Sequence, residues 1–313
     1  MHRCQTDRAT IARQTRLYLQ GTIAILRAGD ETMSGHVLFS GGQPSGDPMS
    51  QTILVTGASS GIGQATARLL AERGFTVFGT ARKPDSAKPQ GFTMLALDVR
   101  SDDSVRACVE QVIAQAVRLD VLVNNAGYTV TGAAEETSVE EAKAQFETNF
   151  FGSVRMANAV LPSMRARGAG KIINISSLAG NTAIPYSAFY SASKFALEGY
   201  SESLWHELRP FGISVILVEP GFVNTPIGEA SPVAARPLAA YDAPRNRMLA
   251  AFGHALERGI PPEQVARRVL QIIEQKSPGL RYRVGAQANW LPRVRNVVPW
   301  KVYAAGVRKT FGV

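Results

Sequence analysis

Thr52-Ile-Leu-Val-Thr-Gly-Ala-Ser-Ser-Gly-Ile-Gly63 begins as a short apolar, β-branched run and ends as a glycine turn. The first part, Thr52–Thr56, has the composition of a buried strand. A helix pattern follows at once, Gln64-Ala-Thr-Ala-Arg-Leu-Leu-Ala-Glu-Arg73, closed by Gly74. Strand, glycine turn and helix, in that order, form the setting of a loop that cradles dinucleotide phosphates. Gly57 permits the turn, while Gly61 and Gly63 let a pyrophosphate approach the backbone. The helix N-terminus adds free N–H groups and a positive dipole end. The spacing Gly-x-x-x-Gly-x-Gly differs from the commoner Gly-x-Gly-x-x-Gly. A glycine cluster at such a place also serves as a plain turn.

Outward from this unit the alternation repeats. Phe75–Thr80, Phe92–Leu97, Asp120–Asn124, Gly170–Ile175 and Ile213–Val218 read as further short apolar strands, and Leu280–Val284 as a last one. Helical patterns separate them. One runs from the N-cap Ser101 to Arg118, and one from Ser138 to Arg167 with breaks at Gly152 and Pro162. Others start at Ala188, cover Pro244–Arg258, and cover Pro262–Ile273. Strands alternating with helices predict an α/β fold, a Rossmann-like doubly wound parallel sheet.

The chain has 313 residues, 45% hydrophobic and 19% charged, enough for a sizeable core. Its two cysteines, Cys4 and Cys108, make no disulfide framework, which fits a reducing, cytoplasmic setting. Cys108 sits in a helical pattern and reads as a small core residue. No apolar run approaches the roughly 20 residues that a membrane span needs. Residues 1–48 differ from the rest, with scattered arginines and the loop-like Ser40-Gly-Gly-Gln-Pro-Ser-Gly46. They are expected to be a poorly ordered extension, with Met49 as the natural start. The net charge is +9, and residues 281–313 hold seven Arg and Lys with no Asp or Glu. That tail also carries Trp290, Trp300, Tyr303 and Phe311. It is read as packing on its own domain with its charges solvated. Association with a membrane surface stays open. No nucleic-acid motif is present.

Chemistry gathers at strand ends. In nicotinamide-dinucleotide sites an acid after the second strand binds the ribose 2′-hydroxyl. Here Thr80-Ala-Arg-Lys-Pro84 carries two cations and no acid. Arg82 can hold a 2′-phosphate with paired hydrogen bonds, so NADP(H) is expected over NAD(H). The other reading of Arg82 and Lys83 is an ordinary solvated turn. On the helix from Ala188, Tyr190 and Lys194 stand four apart and share a face. A neighbouring cation can lower a phenol pKa by roughly 1–3 units, which makes Tyr190 a candidate proton donor and acceptor. Alone, the pair is compatible with a plain surface helix.

Together, Thr56-Gly-Ala-Ser-Ser-Gly-Ile-Gly63, Asn124-Asn-Ala-Gly127, Asn149, Ser177, Tyr190-x-x-x-Lys194 and Pro220-Gly221 resemble the short-chain dehydrogenase/reductase family. The likeness covers about residues 50–285. It implies that Tyr190 is the general acid/base and that Lys194 lowers its pKa and binds the nicotinamide ribose. It implies that Ser177 steadies the reacting oxygen and that Asn149 holds a relay water. Gly57, Ser59, Ser60, Gly61, Ile62 and Gly63 would lie at the phosphates, and Asp98 and Val99 at the adenine. Asn125, Ala126 and Gly127 would line the adenosine ribose, and Val223 and Thr225 would meet the nicotinamide amide. Ser60 stands where many NADP(H)-preferring members carry Arg or Lys, so a 2′-phosphate would rest on Arg82 and its neighbours.

The resulting expectation is one catalytic domain, 49–285, with a helical substrate lid at about 224–260 and a basic tail, 286–313. In the lid, Met248, Leu249, Phe252 and Leu256 fall at helical spacing, either as core or as substrate contacts. The ending resembles the branch of retinol and 17β-hydroxysteroid dehydrogenases, which implies a lipophilic secondary alcohol or ketone. The family also implies a homodimer or homotetramer. Two other readings stay open: a dinucleotide-binding regulator without chemistry, and a membrane-surface lipid-ketone reductase.

Overall fold

The computed structural model describes residues 51–84, 90–227 and 232–313. The extension expected at 1–48 lies outside the described residues. Seven strands form a single sheet: β1 (Thr52–Val55), β2 (Thr76–Ala81), β3 (Thr93–Ala96), β4 (Val121–Asn124), β5 (Gly170–Ile175), β6 (Ile213–Pro220) and β7 (Arg281–Val284). Their order is β3-β2-β1-β4-β5-β6-β7, and every pairing is parallel. The chain runs outward from β1 to β3, then returns to β4 on the other side of β1. At such a switch point the carboxyl ends of neighbouring strands splay and leave a ligand crevice.

The side-chain alternation of the strands feeds two cores. Ile53 and Val55 point into one, with Val121, Val123, Ile173 and Ile216. Helices α1 (Gly61–Glu72) and α7 (Pro262–Glu274) complete it through Ala67, Leu70, Val265 and Val269. Leu54, Phe78, Leu122, Ile172 and Val215 point into the other. There they meet α2 (Asp102–Ala116), α4 (Gly152–Arg167) and α5 (Ala188–Leu208) through Val109, Met156, Val160 and Leu204. Burial on both faces explains why these strands read as continuous apolar runs.

One expectation is corrected. The helical stretch is not broken at Gly152 or Pro162. Instead α3 (Val139–Phe146), begun by a Ser138–Glu141 capping box, passes through a π-helical turn, Glu147–Phe151, into α4. Gly152 is there for packing, since a Cβ at that position would lie 2.7 Å from Val99 Cγ2. Pro162 is carried inside α4, where Met156, Ala157, Val160 and Met164 are all buried. Tertiary packing on both sides of the proline outweighs its local cost.

The lid helix α6 (Asp242–Glu257) has Pro244 in its first turn, where a missing N–H costs nothing. Its Arg245 makes a buried ion pair with Glu136, which also accepts from Ala133 N at 2.8 Å and Leu238 N at 2.8 Å. The tail forms two helices, α8 (Ala286–Val297) and α9 (Trp300–Phe311).

Candidate active site

The glycine loop is fastened from behind by residues of the neighbouring strand ends. Thr56 Oγ1 accepts from Asn125 N at 2.9 Å and Ala126 N at 3.0 Å. Asn125 Nδ2 in turn donates to Thr56 O at 2.9 Å and Gly57 O at 3.0 Å. Gly57 and Gly61 adopt φ of +66° and +55°, which glycine tolerates and other residues rarely do. Gly63 has a packing reason to be glycine as well. A Cβ there would sit 2.3 Å from Gly57 O, so the residue lets α1 close on the loop. It is buried and off the cleft wall. No side chain caps the start of α1, and no acid lies in its first turn. That leaves a positive helix end facing the cleft.

The cleft has a volume of about 560 Å³. Gly57, Ser59, Ser60, Gly61 and Ile62 wall one end. Asn125, Ala126, Gly127, Thr225, Arg82, Asp98 and Val99 also line the cleft. Sequence reading missed Arg100, which also lines it. Its guanidinium donates to both Asp98 oxygens, at 2.9 and 2.6 Å, and this holds the Asp98 carboxyl down at about 2. The signal was present, since Arg100 follows Asp98 by two positions at a strand end. The cleft's glycine cradle and positive helix end fit a dinucleotide.

The four candidate catalytic residues divide into two layers. Tyr190 and Ser177 face a second, smaller cavity of about 80 Å³. Lys194 and Asn149 are buried behind them. Ser177 opens a short turn, Leu178–Gly180, and its Oγ accepts from Ala179 N at 3.1 Å. With one acceptor site used in this way, its single proton is free to be donated. Burial pushes the Tyr190 phenol above its usual pKa, and a hydrogen bond with Ser177 works against that. The expected lowering by Lys194 is not the dominant effect. The ammonium lies 5.8 Å from the Tyr190 ring centroid and donates to Ile175 O at 2.8 Å. Burial moves Lys194 down to about 8, with Glu198 pulling the other way. Asn149 sits in the π-helical turn, which rotates it inward. Its Oδ1 accepts from Tyr128 N at 3.0 Å, and its Nδ2 donates to Tyr128 O at 2.9 Å and Ser193 Oγ at 3.2 Å. Ser193 Oγ donates to Tyr190 O at 2.7 Å, so Asn149 touches the residue just before Lys194.

Two buried carboxylates behind this layer were also missed. Glu198 and Glu219 bind Arg281 at 3.1 and 3.5 Å, and Glu219 binds Arg283 at 3.0 Å. Burial, followed by the Glu219 charge, raises Glu198 to about 6. The partners come from β7, far along the chain, so no local spacing points to them.

The second cavity shares Ile62, Thr225 and Ile227 with the cleft and is otherwise mostly apolar, with Thr129, Ser176, Ser177 and Tyr190 as its further polar residues. Ile184, Phe222, Phe252 and Leu256 form its walls, and Val223 lines it rather than the cleft. The lid stripe therefore splits: Phe252 and Leu256 face the cavity, while Met248 is core. Residues 228–231 of the lid lie outside the described residues.

Residues 51–234 match the short chain dehydrogenase family. A 3-ketodihydrosphingosine reductase of Bacteroides thetaiotaomicron is 44% identical over 252 residues, covering 77% of this chain and 93% of that protein. A short-chain dehydrogenase of Streptomyces avermitilis superposes with a TM-score of 0.69 at 34% identity, covering 82% of this chain and 97% of that one. A metagenomic short-chain oxidoreductase solved with NADP gives 0.60 at 30% identity, covering 76% and 98%. Fold, cleft and relatives agree, and the chain belongs to the short-chain dehydrogenase/reductase family of oxidoreductases.

Proposed function

We propose that the protein is an NADP(H)-dependent oxidoreductase interconverting a lipophilic secondary alcohol and its ketone. The observation that carries this reading is the apolar cavity bearing Tyr190 and Ser177, which meets the dinucleotide cleft at Ile62 and Thr225. The 3-ketodihydrosphingosine named for the Bacteroides relative is a ketone of this class and supports it. The preference for a 2′-phosphate is supported by Arg82 and Arg100 in the cleft lining, where among the described residues Asp98 is the one acid and is paired with Arg100.

When bound, the nicotinamide supplies or accepts the hydride. The chain's own residues handle the proton and the position of the substrate. Ser177 donates to the carbonyl oxygen and stabilises the negative charge that grows there. Tyr190 gives that oxygen its proton in reduction and removes it in oxidation. Lys194 supplies a cation behind the phenol and binds the ribose hydroxyls. Asn149 steadies this layer through Ser193 and holds the relay water. Phe222, Phe252 and Leu256 exclude bulk water and select an apolar chain.

We infer a homodimer or homotetramer through α4 and α5, supported by the exposed Phe151 at the head of α4; sedimentation velocity giving a monomer would remove it. A cytoplasmic setting is supported by the free, buried Cys108 thiol, and cell fractionation tests it. For the activity, hydrophobic and short polar ketones are screened by NADPH consumption. Turnover confined to the polar ones would overturn the substrate class, and faster turnover with NADH would overturn the cofactor choice.

A further inference from the structure

The tail helices have two unlike sides. Inward, α9 packs behind the wall of the apolar cavity. Phe311 lies 6.4 Å from Phe222, which lies 5.9 Å from Phe252. Val307 and Val313 pack in the same cluster as Tyr190. Arg247 Nε donates to Gly312 O at 2.7 Å, and Arg295 donates to Asn181 O and lies 5.7 Å from the Phe195 ring. The pair is therefore fixed to the catalytic domain behind its apolar cavity.

Outward, the same helices present large apolar side chains to solvent. Trp290, Val297, Trp300 and Val302 are 49, 81, 67 and 61% exposed. Three of them, with the exposed Pro299 and Lys301, form the corner between α8 and α9. Isolated exposed apolar residues are ordinary, but a corner of this kind rimmed by charge marks an interaction surface. The rim is one-signed. Residues 281–313 contain no acid. Arg281 and Arg283 are taken up by Glu198, Glu202 and Glu219. Arg293, Lys301, Arg308 and Lys309 are exposed and make no ion pair with a described residue.

We propose that this corner docks on the interface of an anionic phospholipid bilayer. One indole and two valines at the corner, with the exposed Trp290 further back on α8, suit the boundary between headgroups and acyl chains, where tryptophan's apolar ring and N–H are both satisfied. Four uncompensated cations beside them suit anionic headgroups. The attachment lies on the surface: among the described residues no helix is long and apolar enough to cross a membrane. Docking there brings the lipid phase to the helix whose Phe311 packs behind the cavity residue Phe222, so that a lipophilic ketone enters without crossing water. The delivery role rests on the lipophilic-substrate reading above; the docking itself does not.

The test uses the full chain and vesicles of phosphatidylcholine, with and without phosphatidylserine. The protein sediments with the phosphatidylserine vesicles, its tryptophan emission shifts to the blue, and salt releases it. Trp300→Ser with Val297→Ser and Val302→Ser removes the association. Each of Arg293→Gln, Lys301→Gln, Arg308→Gln and Lys309→Gln weakens it roughly fivefold. All these side chains are solvent-facing, so thermal melting stays at the wild-type value and turnover of a short soluble ketone is unchanged. Wild-type protein left in the supernatant, or a triple serine variant that binds as well as wild type, overturns the proposal. So does a concentration-dependent dimer that the triple variant abolishes in the absence of vesicle binding, which would give the corner to a second copy. Vesicle binding without turnover of any ketone would keep the docking surface and discard the reaction.

Discussion

The dinucleotide cleft and the substrate cavity share Ile62, Thr225 and Ile227, yet they are built in different ways. The cleft is shaped by backbone. Glycines at Gly57 and Gly61, the open end of α1 and the Thr56–Asn125 bonds define it, and nearly all belong to short motifs at strand ends. The cavity is shaped by side chains brought from distant parts of the chain: Ile184, Phe222 after β6, Phe252 from the lid, with Phe311 of the tail behind them. A backbone-built site needs particular small residues at fixed spacing, so it can hold one kind of ligand and little else. A side-chain wall can be refilled by other apolar residues without disturbing the sheet, and this is where members of one family come to differ in substrate.

The sharpest way to separate the two regions is Tyr190→Phe. It should lower turnover by about 10²–10⁴-fold, the usual contribution of a positioned acid or base. NADPH binding followed by fluorescence should stay within a factor of two of wild type, on the order of what losing one peripheral contact does. Retained turnover would remove the central assignment. Next, Arg82→Ala should weaken NADPH binding by roughly 10–100-fold, the range for a charge-assisted contact, while leaving NADH unchanged. Equal losses for both would show that Arg82 does not read the 2′-phosphate.

Gly63→Ala tests the backbone side through stability. Its Cβ would meet Gly57 O at 2.3 Å, and the loop must shift to admit it. The expected cost is about 1–3 kcal/mol, typical of an overpacked site, read by denaturant unfolding and accompanied by weaker cofactor binding. An unchanged midpoint would mean the loop is looser than its contacts suggest.

The smallest effect concerns Glu198, behind the catalytic layer. Its folded pKa of about 6 lies above the ordinary 4.5, so the folded chain holds that proton more tightly than the unfolded one. The stabilisation is full below about 4.5 and is lost as pH rises through 6. Glu198→Gln cannot titrate. Relative to wild type it should therefore gain up to ~2 kcal/mol in unfolding free energy between pH 4 and pH 7. A difference that does not vary with pH would show that Glu198 is ionised throughout, held so by Arg281.

Legibility followed the same division. The strands at Thr52–Val55, Val121–Asn124 and Gly170–Ile175 announced themselves, because burial on both faces demands continuous apolar runs. The glycine loop, Arg82, Ser177 and the Tyr190–Lys194 pair could be singled out as candidates because each sits at a strand end or one helical turn apart. Gly63 was read as admitting a phosphate, and the structure adds a packing reason for a glycine there: its Cβ would meet Gly57 O at 2.3 Å. Asn149 was named only through the family resemblance, since its contact with Ser193 depends on the π-helical turn that no local spacing shows. Glu219 and Arg281 left no trace, since they are brought together by strand order, whereas Arg100 stood two positions from its partner Asp98 and could have been read.

By itself, then, the sequence determined the sheet-and-helix alternation, the dinucleotide loop and the candidate acid/base pair, all satisfied within a few residues by hydrogen bonds or periodic burial. The tertiary structure alone decided which layer each candidate side chain occupies, that burial raises the Tyr190 phenol against the Ser177 hydrogen bond, and that the tail packs behind the apolar cavity. Those depend on desolvation and on contacts between segments far apart in the chain, and neither quantity is written in local spacing.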